Sequence, residues 1–590
     1  MTVHNMQSNS RDAGWRVMKF GGTSVSSADR WHAIAQQVQR ARADGFRVLV
    51  VVSALKGVTD RLQALAAAEH KQPAPEILAG LWQEHEALLN HLSLTPDPAF
   101  HHAWEALLAD LAAPLSGAAA HSAQVQARGE DLSAALGAQI LTELAAPCCH
   151  SPSLELLACE PELSQGPLSA YCAAGVDRDL AQRLAAAGPL HITQGFQVAG
   201  PDGRPWLLGR GGSDTSAALL AARLAAKELE IWTDVPGVFS ADPARVPEAR
   251  LLRQLSYSEA QEFAAMGAKV LHPPCIAPLQ AHGIRLSIRD TGQPEAPHTQ
   301  VGPRSAETQG LIKGVVSRRN VTLISMDSPS MWHQPGFLAD AFGLFKRHGL
   351  SIDLISTSES SVTVSLDPLR PGSPVTRGLE ACLEDLSRLC TVQLRTECVA
   401  VSLVGNAMRT LLGRLGDAFD LFQDRTVHMV TQSANDLNFT VVVDAAQSDR
   451  LVQSLHAKLI DATAAQHDAF GPSWSTLKAA PVPQPTPWWE QHRADLLALA
   501  QAGPAYVYHL PAMREAARRL LGLRSIDRVL YAMKANDHPE VLRALYAEGV
   551  SFECVSPGEV AHALREIPEL DPKHLLCTPN FASREDYEAV

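Results

Sequence analysis

Residues 209–216 read Gly-Arg-Gly-Gly-Ser-Asp-Thr-Ser, and near the start of the chain residues 19–24 read Lys-Phe-Gly-Gly-Thr-Ser. Each stretch follows an apolar, strand-like run and precedes a helical one. Glycine at such a junction lets backbone N–H groups approach an anion closely, and a helix N-terminus adds partial positive charge. Two such loops in one α/β chain imply two phosphate contacts on one nucleotide, with Lys19 and Arg210 supplying the full charges.

Outward from these loops, residues 16–300 alternate strand and helix signals. Strand candidates 16–20, 47–53, 189–193, 228–233 and 284–289 are interleaved with amphipathic helices at 28–44, 214–227 and 258–267. That alternation predicts a mostly parallel sheet covered by helices. Residues 60–145 are rich in Ala and Leu and read as helical, a lid or substrate-side layer. Residues 311–465 change character: strand 321–326, helix 337–348, strands 351–357 and 361–366, helix 375–388, strand 391–395. The order repeats over 398–404, 407–421, 425–432, 437–443 and 446–460, with a last strand weakly marked. An internal repeat of roughly 75 residues in βαββαβ order predicts two ferredoxin-like modules, at 311–395 and 396–465. Pro472, Pro481, Pro483, Pro485 and Pro487 mark 471–495 as a linker. A third pattern follows over 496–590: strand 506–509, helix 512–521, strand 528–533, helix 538–548, strand 551–555, helix 558–565, strand 574–577. It reads as the first part of a (β/α)₈ barrel, which takes about 250 residues, so this module is expected to be incomplete at Val590.

At 590 residues the chain is too long for one core, and about three or four domains are expected. Hydrophobic residues make up 46% and charged residues 19%, as in an ordinary soluble protein. The net charge of −13 argues against a nucleic acid or an anionic membrane as partner. Met1 to Arg16 has no apolar core of a signal peptide, and no apolar run is long enough to span a membrane. The ten cysteines are scattered without a Cys-x-x-Cys pair. Cys148, Cys149 and His150 adjoin but lack metal-ligand spacing, so a reduced, cytoplasmic setting is expected.

No Gly-x-x-x-x-Gly-Lys-Ser/Thr is present, which excludes a P-loop enzyme. Ser-Ala-Leu-Lys-Gly-Val-Thr-Asp at 53–60 and Arg-Gly-Glu-Asp-Leu-Ser at 128–133 join the two glycine loops. Trp-Thr-Asp-Val-Pro-Gly-Val at 232–238 and Gly-Ala-Lys-Val-Leu-His-Pro at 267–273 complete the series. In this order the segments resemble aspartate kinase, of the amino-acid kinase superfamily, over residues 15–465, with the catalytic domain at 15–305. The resemblance implies a three-layer α/β fold and transfer of phosphate from ATP, with Mg²⁺, to the side-chain carboxylate of aspartate. That reaction opens the diaminopimelate route to lysine, and also serves threonine and methionine. The chemistry suits the residues: a carboxylate with a pKa of about 3.9 is already ionised, so positioning and charge neutralisation are the main tasks.

By the same resemblance, Lys19 neutralises transferring phosphoryl oxygens, and Gly21 and Gly22 cradle them. Thr59, Glu130, Arg210 and Ser213 hold aspartate, Glu130 at the amino group and Arg210 bidentate at a carboxylate. Asp214 orients Lys19 or Mg²⁺, while Thr233, Asp234, Phe239, Arg245 and Lys269 contact the nucleotide; no metal ligand is assigned. The chain departs from the family at Asp242-Pro243-Ala244-Arg245, where Asp-Pro-Arg is usual and the arginine is displaced by one. Phe239 stands where tyrosine is common.

Residues 311–465 resemble the paired ACT domains that end aspartate kinases. Met331, Gly336-Phe337-Leu338, Ser351-Ile352-Asp353 and Thr357-Ser358-Glu359 match the lysine-sensitive type, which implies lysine as effector, held by backbone groups, Asp353 and Glu359. Carboxylates suit a ligand with two ammonium groups. Such modules pair across chains, which implies a homodimer or higher homo-oligomer.

Tyr-Ala-Met-Lys-Ala-Asn at 531–536 ends an apolar strand, where barrel enzymes keep their chemistry. Burial there would lower the pKa of Lys534 toward the reactive amine. The segment looks like the pyridoxal 5'-phosphate lysine of alanine-racemase-like barrel decarboxylases, and beside an aspartate kinase it implies diaminopimelate decarboxylase, a fusion of two steps of one route. Ser551 to Ser556 agree with the next strand, with Pro557 where that family usually has glycine. That family's phosphate-binding glycine loop and later catalytic groups have no counterpart through Val590, so these residues alone are expected not to decarboxylate. Two other readings compete: a kinase of another carboxylate such as glutamate or acetylglutamate, and a regulatory chain that senses amino acids without turnover.

Overall fold

The structure is a computed structural model that describes residues 14–590, apart from 68–74, 114–116, 269, 304–309, 329–334, 367–373, 412–415, 417–419, 424, 462–466, 479–488, 490–491, 501–502, 504–505, 524–525 and 580–581. It divides into two units, Met1–Lys478 and Ala479–Val590.

The first unit begins with β1 (Trp15–Phe20), α1 (Ala28–Ala43), β2 (Arg47–Val52), α2 (Val58–Ala67), α3 (Pro75–His91), α4 (Pro98–Ala112) and α5 (Ala118–Leu144). There follow β3 (Cys149–His150), α6 (Ser153–Leu156), α7 (Arg178–Ala187), β4 (Leu190–Gln194), β5 (Gln197–Ala199), β6 (Pro205–Leu207) and α8 (Gly212–Arg223). Next come β7 (Glu228–Thr233), β8 (Arg250–Leu252), β9 (Gln254–Ser256), α9 (Tyr257–Ala265), α10 (Ile276–His282), β10 (Arg285–Asp290) and β11 (Thr299–Gly302). Eight of the strands form one sheet in the order β3-β4-β2-β1-β7-β10-β11-β9. It is parallel except at β10–β11, as the alternating pattern predicts.

β1 lies at the centre and is buried on both faces, which explains its near-continuous apolar run. Val17 packs into one core with Leu49, Ile231 and the alanines of α8, while Met18 and Phe20 pack into the other with Trp31, Leu62 and Leu136. α1 turns Trp31, Ile34, Ala35 and Val38 to that second core at helical spacing. The helix expected over 214–227 stops at Arg223 because Ala225 takes a left-handed φ of 47°.

The rest of the unit contains β12 (Ile312–Asp327), α11 (Phe337–Arg347), β13 (Ile352–Thr357), β14 (Ser361–Leu366), α12 (Pro374–Ser387), β15 (Thr391–Gly405), β16 (Val427–Gln432), β17 (Asn438–Asp444), a helix Ala445–His456 and β18 (Phe470–Ser473). The two predicted modules share one antiparallel six-stranded sheet, β13-β14-β12-β15-β17-β16. The strands expected at 391–395 and 398–404 are one strand, kinked near Glu397 at a φ of 58°. The weakly marked last strand of the second module comes from upstream, because Ile312–Arg318 pairs with the second half of β15. Arg318-Arg319-Asn320 hides that continuity in the sequence: Asn320 adopts a φ of 58° at a bulge, so the apolar pattern breaks while the strand continues.

Two further expectations are corrected, and a third falls largely outside the described residues. That third is the helix expected over 407–421: 3₁₀ turns at Met408–Leu411 and Asp420–Phe422 flank it, and Gly416 between them is helical. Ala407 at a φ of 52° and the Arg409 N–H on Asp436 fix a turn where the helix would start. Residues 470–478 are not linker: β18 pairs with β8, and Trp474 packs edge-on against Phe239 with ring centroids 5.2 Å apart. The connecting stretch therefore begins after Lys478.

In the second unit, β19 (Leu530–Ala532), β20 (Ser551–Cys554) and β21 (Leu575–Cys577) form a parallel three-stranded sheet. The helices Pro539–Tyr546 and Pro557–Glu566 follow β19 and β20, the β/α repeat expected of a barrel start. Met533, Val541, Leu542, Phe552, Cys554 and Ala563 make its core. Residues 506–509 are not a strand: no described strand pairs with them, and Tyr506 is 91% exposed.

Candidate active site

The C-terminal ends of β2, β1 and β7 lie side by side, in register through Phe20↔Val52 and Phe20↔Trp232. Ligands of open α/β sheets bind at this edge. Gly21 continues from β1 and donates its N–H to the Trp232 carbonyl at 3.1 Å. Gly22 is required sterically: a Cβ there would lie 2.7 Å from the Ala54 carbonyl oxygen. The loop after β1 therefore closes onto the loop after β2.

Lys19 projects from this edge with its side chain only 10% exposed, and its Nζ sits 2.6 Å from Asp214 Oδ1. Asp214 occupies the first turn of α8, whose N-cap Gly211 is left-handed at a φ of 68°. Any side chain at 211 would collide with His272, since a Cβ would lie 2.0 Å from its Cγ. The second glycine loop thus brings a helix N-terminus and a carboxylate to the ammonium of the first. Arg210 is exposed beside it, and Ser213 is half-buried against Gly195 at the end of β4.

Glu130 enters from α5. Its Oε1 accepts the Ala54 N–H at 3.2 Å, while Oε2 is buried with no hydrogen-bond partner among the described residues. Burial pushes this carboxyl up to about 8, against the opposing hydrogen bond from Ala54. A buried acid with one oxygen satisfied and one unused is suited to receive a cation. Around it, Arg128 binds Asp110 at 2.6 Å and Asp131 at 2.9 Å, and Gln197 binds Asp131 at 2.7 Å, fixing α5 in place. Thr59 is half-buried in the first turn of α2, next to Val58, which packs on Gly129.

The expected nucleotide residues split. Thr233 ends β7 and Asp234 follows it, directly beside the Lys19 loop. Phe239 and Arg245 instead line a cavity of about 410 Å³ with Asp242, Gly267, Val270 and residues 316–319 of β12. Phe239 is 6% exposed and packs on Trp474, so apolar packing accounts for a phenylalanine here. Displaced by one, Arg245 meets Asp449 at 3.2 Å and Asp242 at 3.9 Å. Lys269 lies outside the described residues.

His272, in the 267–273 segment, packs on the Gly211 turn. Burial holds its imidazole below the ordinary range, opposed by Asp214 and reinforced by Arg210 and Lys19. Its histidine-proline step before α10 was the available signal, but nothing local in the sequence joins it to Gly211.

Among the sensor residues, Ser351 immediately precedes β13, Asp353 and Thr357 lie on it, and Ser358 and Glu359 are in the turn into β14, at the edge of the six-stranded sheet. Asp353 Oδ2 lies 3.1 Å from Arg318 Nη1. Glu359 is exposed at the turn, which Ser358 closes by bonding Ser361. Met331 is outside the described residues. In the second unit, Lys534 follows β19 at the C-terminal edge, as expected, but on an exposed 3₁₀ turn rather than buried. Among the described residues the sheet at this strand end has three strands.

Residues 14–290 match the amino acid kinase family, 401–459 an ACT domain, and 512–589 the pyridoxal-dependent decarboxylase, pyridoxal binding domain. The lysine-sensitive aspartokinase 3 of Escherichia coli is 33% identical over 452 residues, 75% of this chain and 99% of that protein. The chloroplastic aspartokinase 1 of Arabidopsis thaliana is 28% identical over 75% of this chain and 80% of its own length. The solved structure of E. coli aspartokinase III with aspartate and ADP, in its R-state, superposes with a TM-score of 0.67 at 32% identity, covering 76% of this chain and all of that one, 100%. The same protein with lysine and aspartate, in its T-state, gives 0.60 with the same coverage of 76% and 100%. With the paired glycine loops, the Lys19–Asp214 contact and the six-stranded module pair already in place, the chain belongs to the aspartokinase family.

Proposed function

We propose that the chain transfers the terminal phosphoryl group of ATP to the side-chain carboxylate of L-aspartate, giving 4-phospho-L-aspartate. The observation that carries this reading is the convergence of Lys19, Asp214 and the unsatisfied Glu130 oxygen at one sheet edge. Lys19 neutralises charge on the transferring phosphoryl group, Asp214 holds its ammonium in position, and Gly21 and Gly22 let the backbone approach. Glu130 receives the aspartate ammonium, whose arrival stabilises the ionised carboxylate that burial disfavours. Arg210 takes a substrate carboxylate, with Thr59 and Ser213 beside it. Thr233, Asp234, Phe239, Arg245 and Lys269 form the nucleotide side, and Mg²⁺ accompanies the phosphates. Aspartate-dependent ADP release tests the reading; folded protein that releases ADP with glutamate or acetylglutamate but not aspartate would replace it.

Residues 15–305 form the catalytic domain in this reading, 311–395 and 396–465 the paired ACT modules. Lysine is their effector, bound near Met331, Ser351, Asp353, Thr357, Ser358 and Glu359. Module pairing across chains makes a homodimer or higher oligomer, which sedimentation of the full chain tests. No helix among the described residues is long and apolar enough to cross a membrane, in keeping with a proposed cytoplasmic setting.

Residues 496–590 are proposed as the N-terminal part of a pyridoxal-phosphate barrel belonging to a fused diaminopimelate decarboxylase. A primary amine at the C-terminal edge of a parallel sheet fits that cofactor's aldehyde, and Lys534 would hold it there. When bound, the cofactor supplies an electron sink for decarboxylation. Borohydride trapping of added pyridoxal phosphate, mapped to the Lys534 peptide, tests the assignment, and label elsewhere would overturn it.

A further inference from the structure

One strand carries both the wall of the cavity and the middle of the sensor. Residues 316–319 of β12 line the cavity, and the Gly267 loop packs so tightly on them that a Cβ at 267 would lie 2.9 Å from the Ser317 carbonyl oxygen. Past the bulge at Asn320, Thr322–Asp327 of the same strand pairs with β14, and β14 pairs with β13. The bulge is the one place along β12 where the ladder is both shifted and left-handed in φ, at 58°. It separates the catalytic-side half of the strand from the sensor-side half. Across it runs a charged contact: Arg318, in the cavity wall, reaches Asp353 on β13 at 3.1 Å with side chains 17% and 22% exposed. Beneath it, Val321, Leu323 and Leu354 pack together, so the two strands are held close at this point.

We propose that the Arg318–Asp353 pair is a latch that favours the catalytically competent arrangement, and that a diamino-acid effector acts by taking Asp353 from Arg318. This rests on the reading of Asp353 as an effector-binding carboxylate. The direction follows from two observations. The pair is made in a structure closer to the aspartate–ADP complex of the relative, at a TM-score of 0.67, than to its lysine complex, at 0.60. Both an effector ammonium and the Arg318 guanidinium need the same carboxylate, so they compete for it. A ligand shifts a two-state equilibrium only by its differential affinity, and here the differential is the pair it must break. Arg318, once released, no longer ties the cavity wall to β13.

The test uses the full chain and reads the lysine concentration that halves aspartate-dependent ADP release. Arg318→Gln removes the guanidinium that competes for Asp353, and half-inhibition is expected at about 5- to 10-fold less lysine, within the usual span of coupling between sites. Arg318→Lys keeps a cation within reach and is expected to fall between Arg318→Gln and wild type. An unchanged or higher half-inhibitory concentration in Arg318→Gln overturns the latch. If Arg318→Gln turns over too slowly to assay, calorimetric titration with lysine serves: tighter binding than wild type supports the latch, equal or weaker binding overturns it. A wild type that neither binds nor responds to lysine removes the effector reading itself, a separate result from a responsive wild type whose sensitivity ignores Arg318.

Discussion

Two lysines stand at the same place in two different sheets. Lys19 is the next-to-last residue of the central strand of a largely parallel eight-stranded sheet, and Lys534 follows β19 of a three-stranded one. The first is buried and held at 2.6 Å by Asp214; the second is exposed on a turn. The contrast extends across both units. The first unit buries Lys19, Glu130, Glu230, Glu259 and Lys313, while among the described residues of the second no charged side chain is buried. A strand end becomes a charged site only where neighbouring strands and helices on both faces exclude water, because only there does a fixed charge act at full strength.

If burial is what separates the two regions, disturbing buried charges of the first unit should have the greatest consequences. Lys313 and Glu259 pair at 2.8 Å with side chains 2% exposed each, and Asn406 completes the cluster. Lys313→Met leaves Glu259 uncompensated and is expected to destabilise the first unit by about 3–5 kcal/mol in urea unfolding. Lys19→Ala is expected to lower kcat by about 10²–10³ with the fold intact by circular dichroism, the loss seen when one preorganised stabilising group is removed.

Glu130 sharpens the contrast through pH. Its folded pKa of about 8 lies above the unfolded value of about 4.3, so the folded state holds the proton longer. Stability is therefore lost as pH rises between those values. Glu130→Gln is expected to be more stable than wild type by about 1–3 kcal/mol near pH 8, with little difference near pH 4, while its KM for aspartate rises steeply. His456 gives the opposite slope. Burial, opposed by Asp461, holds its imidazole low, and Ser240 bonds it at 2.7 Å. The unfolded chain then binds the extra proton, so stability is lost as pH falls below about 6.5. His456→Gln should flatten that acid limb in thermal melts. The smallest effect belongs to the exposed lysine: Lys534→Ala should change the stability of the second unit by less than about 0.5 kcal/mol, so any loss of pyridoxal phosphate capture reads as chemistry.

The parallel sheet was legible because its strands are buried on both faces and its helices keep a clean apolar stripe, as Trp31, Ile34 and Val38 do in α1. The glycine loops were legible because their constraint is steric: Gly22 and Gly211 have no room for a side chain. The shared six-stranded sheet was not, since Ile312–Arg318 pairs with residues some ninety positions away, and local pattern carries no trace of such pairing. Likewise the 3.1 Å contact of Arg318 with Asp353 and the packing of His272 on Gly211 join segments that look unrelated in sequence. Trp474 reads as the start of a proline-rich linker until it is seen against Phe239.

The decisive measurement is aspartate-dependent ADP release by the full chain with Mg²⁺-ATP, compared with Lys19→Ala under the same conditions. Turnover by the wild type that falls about 10²–10³-fold in Lys19→Ala is the expected result. Folded wild type without aspartate-dependent turnover, or a Lys19→Ala protein as active as wild type, would contradict the assignment of the buried Lys19–Asp214 edge as the phosphoryl-transfer site.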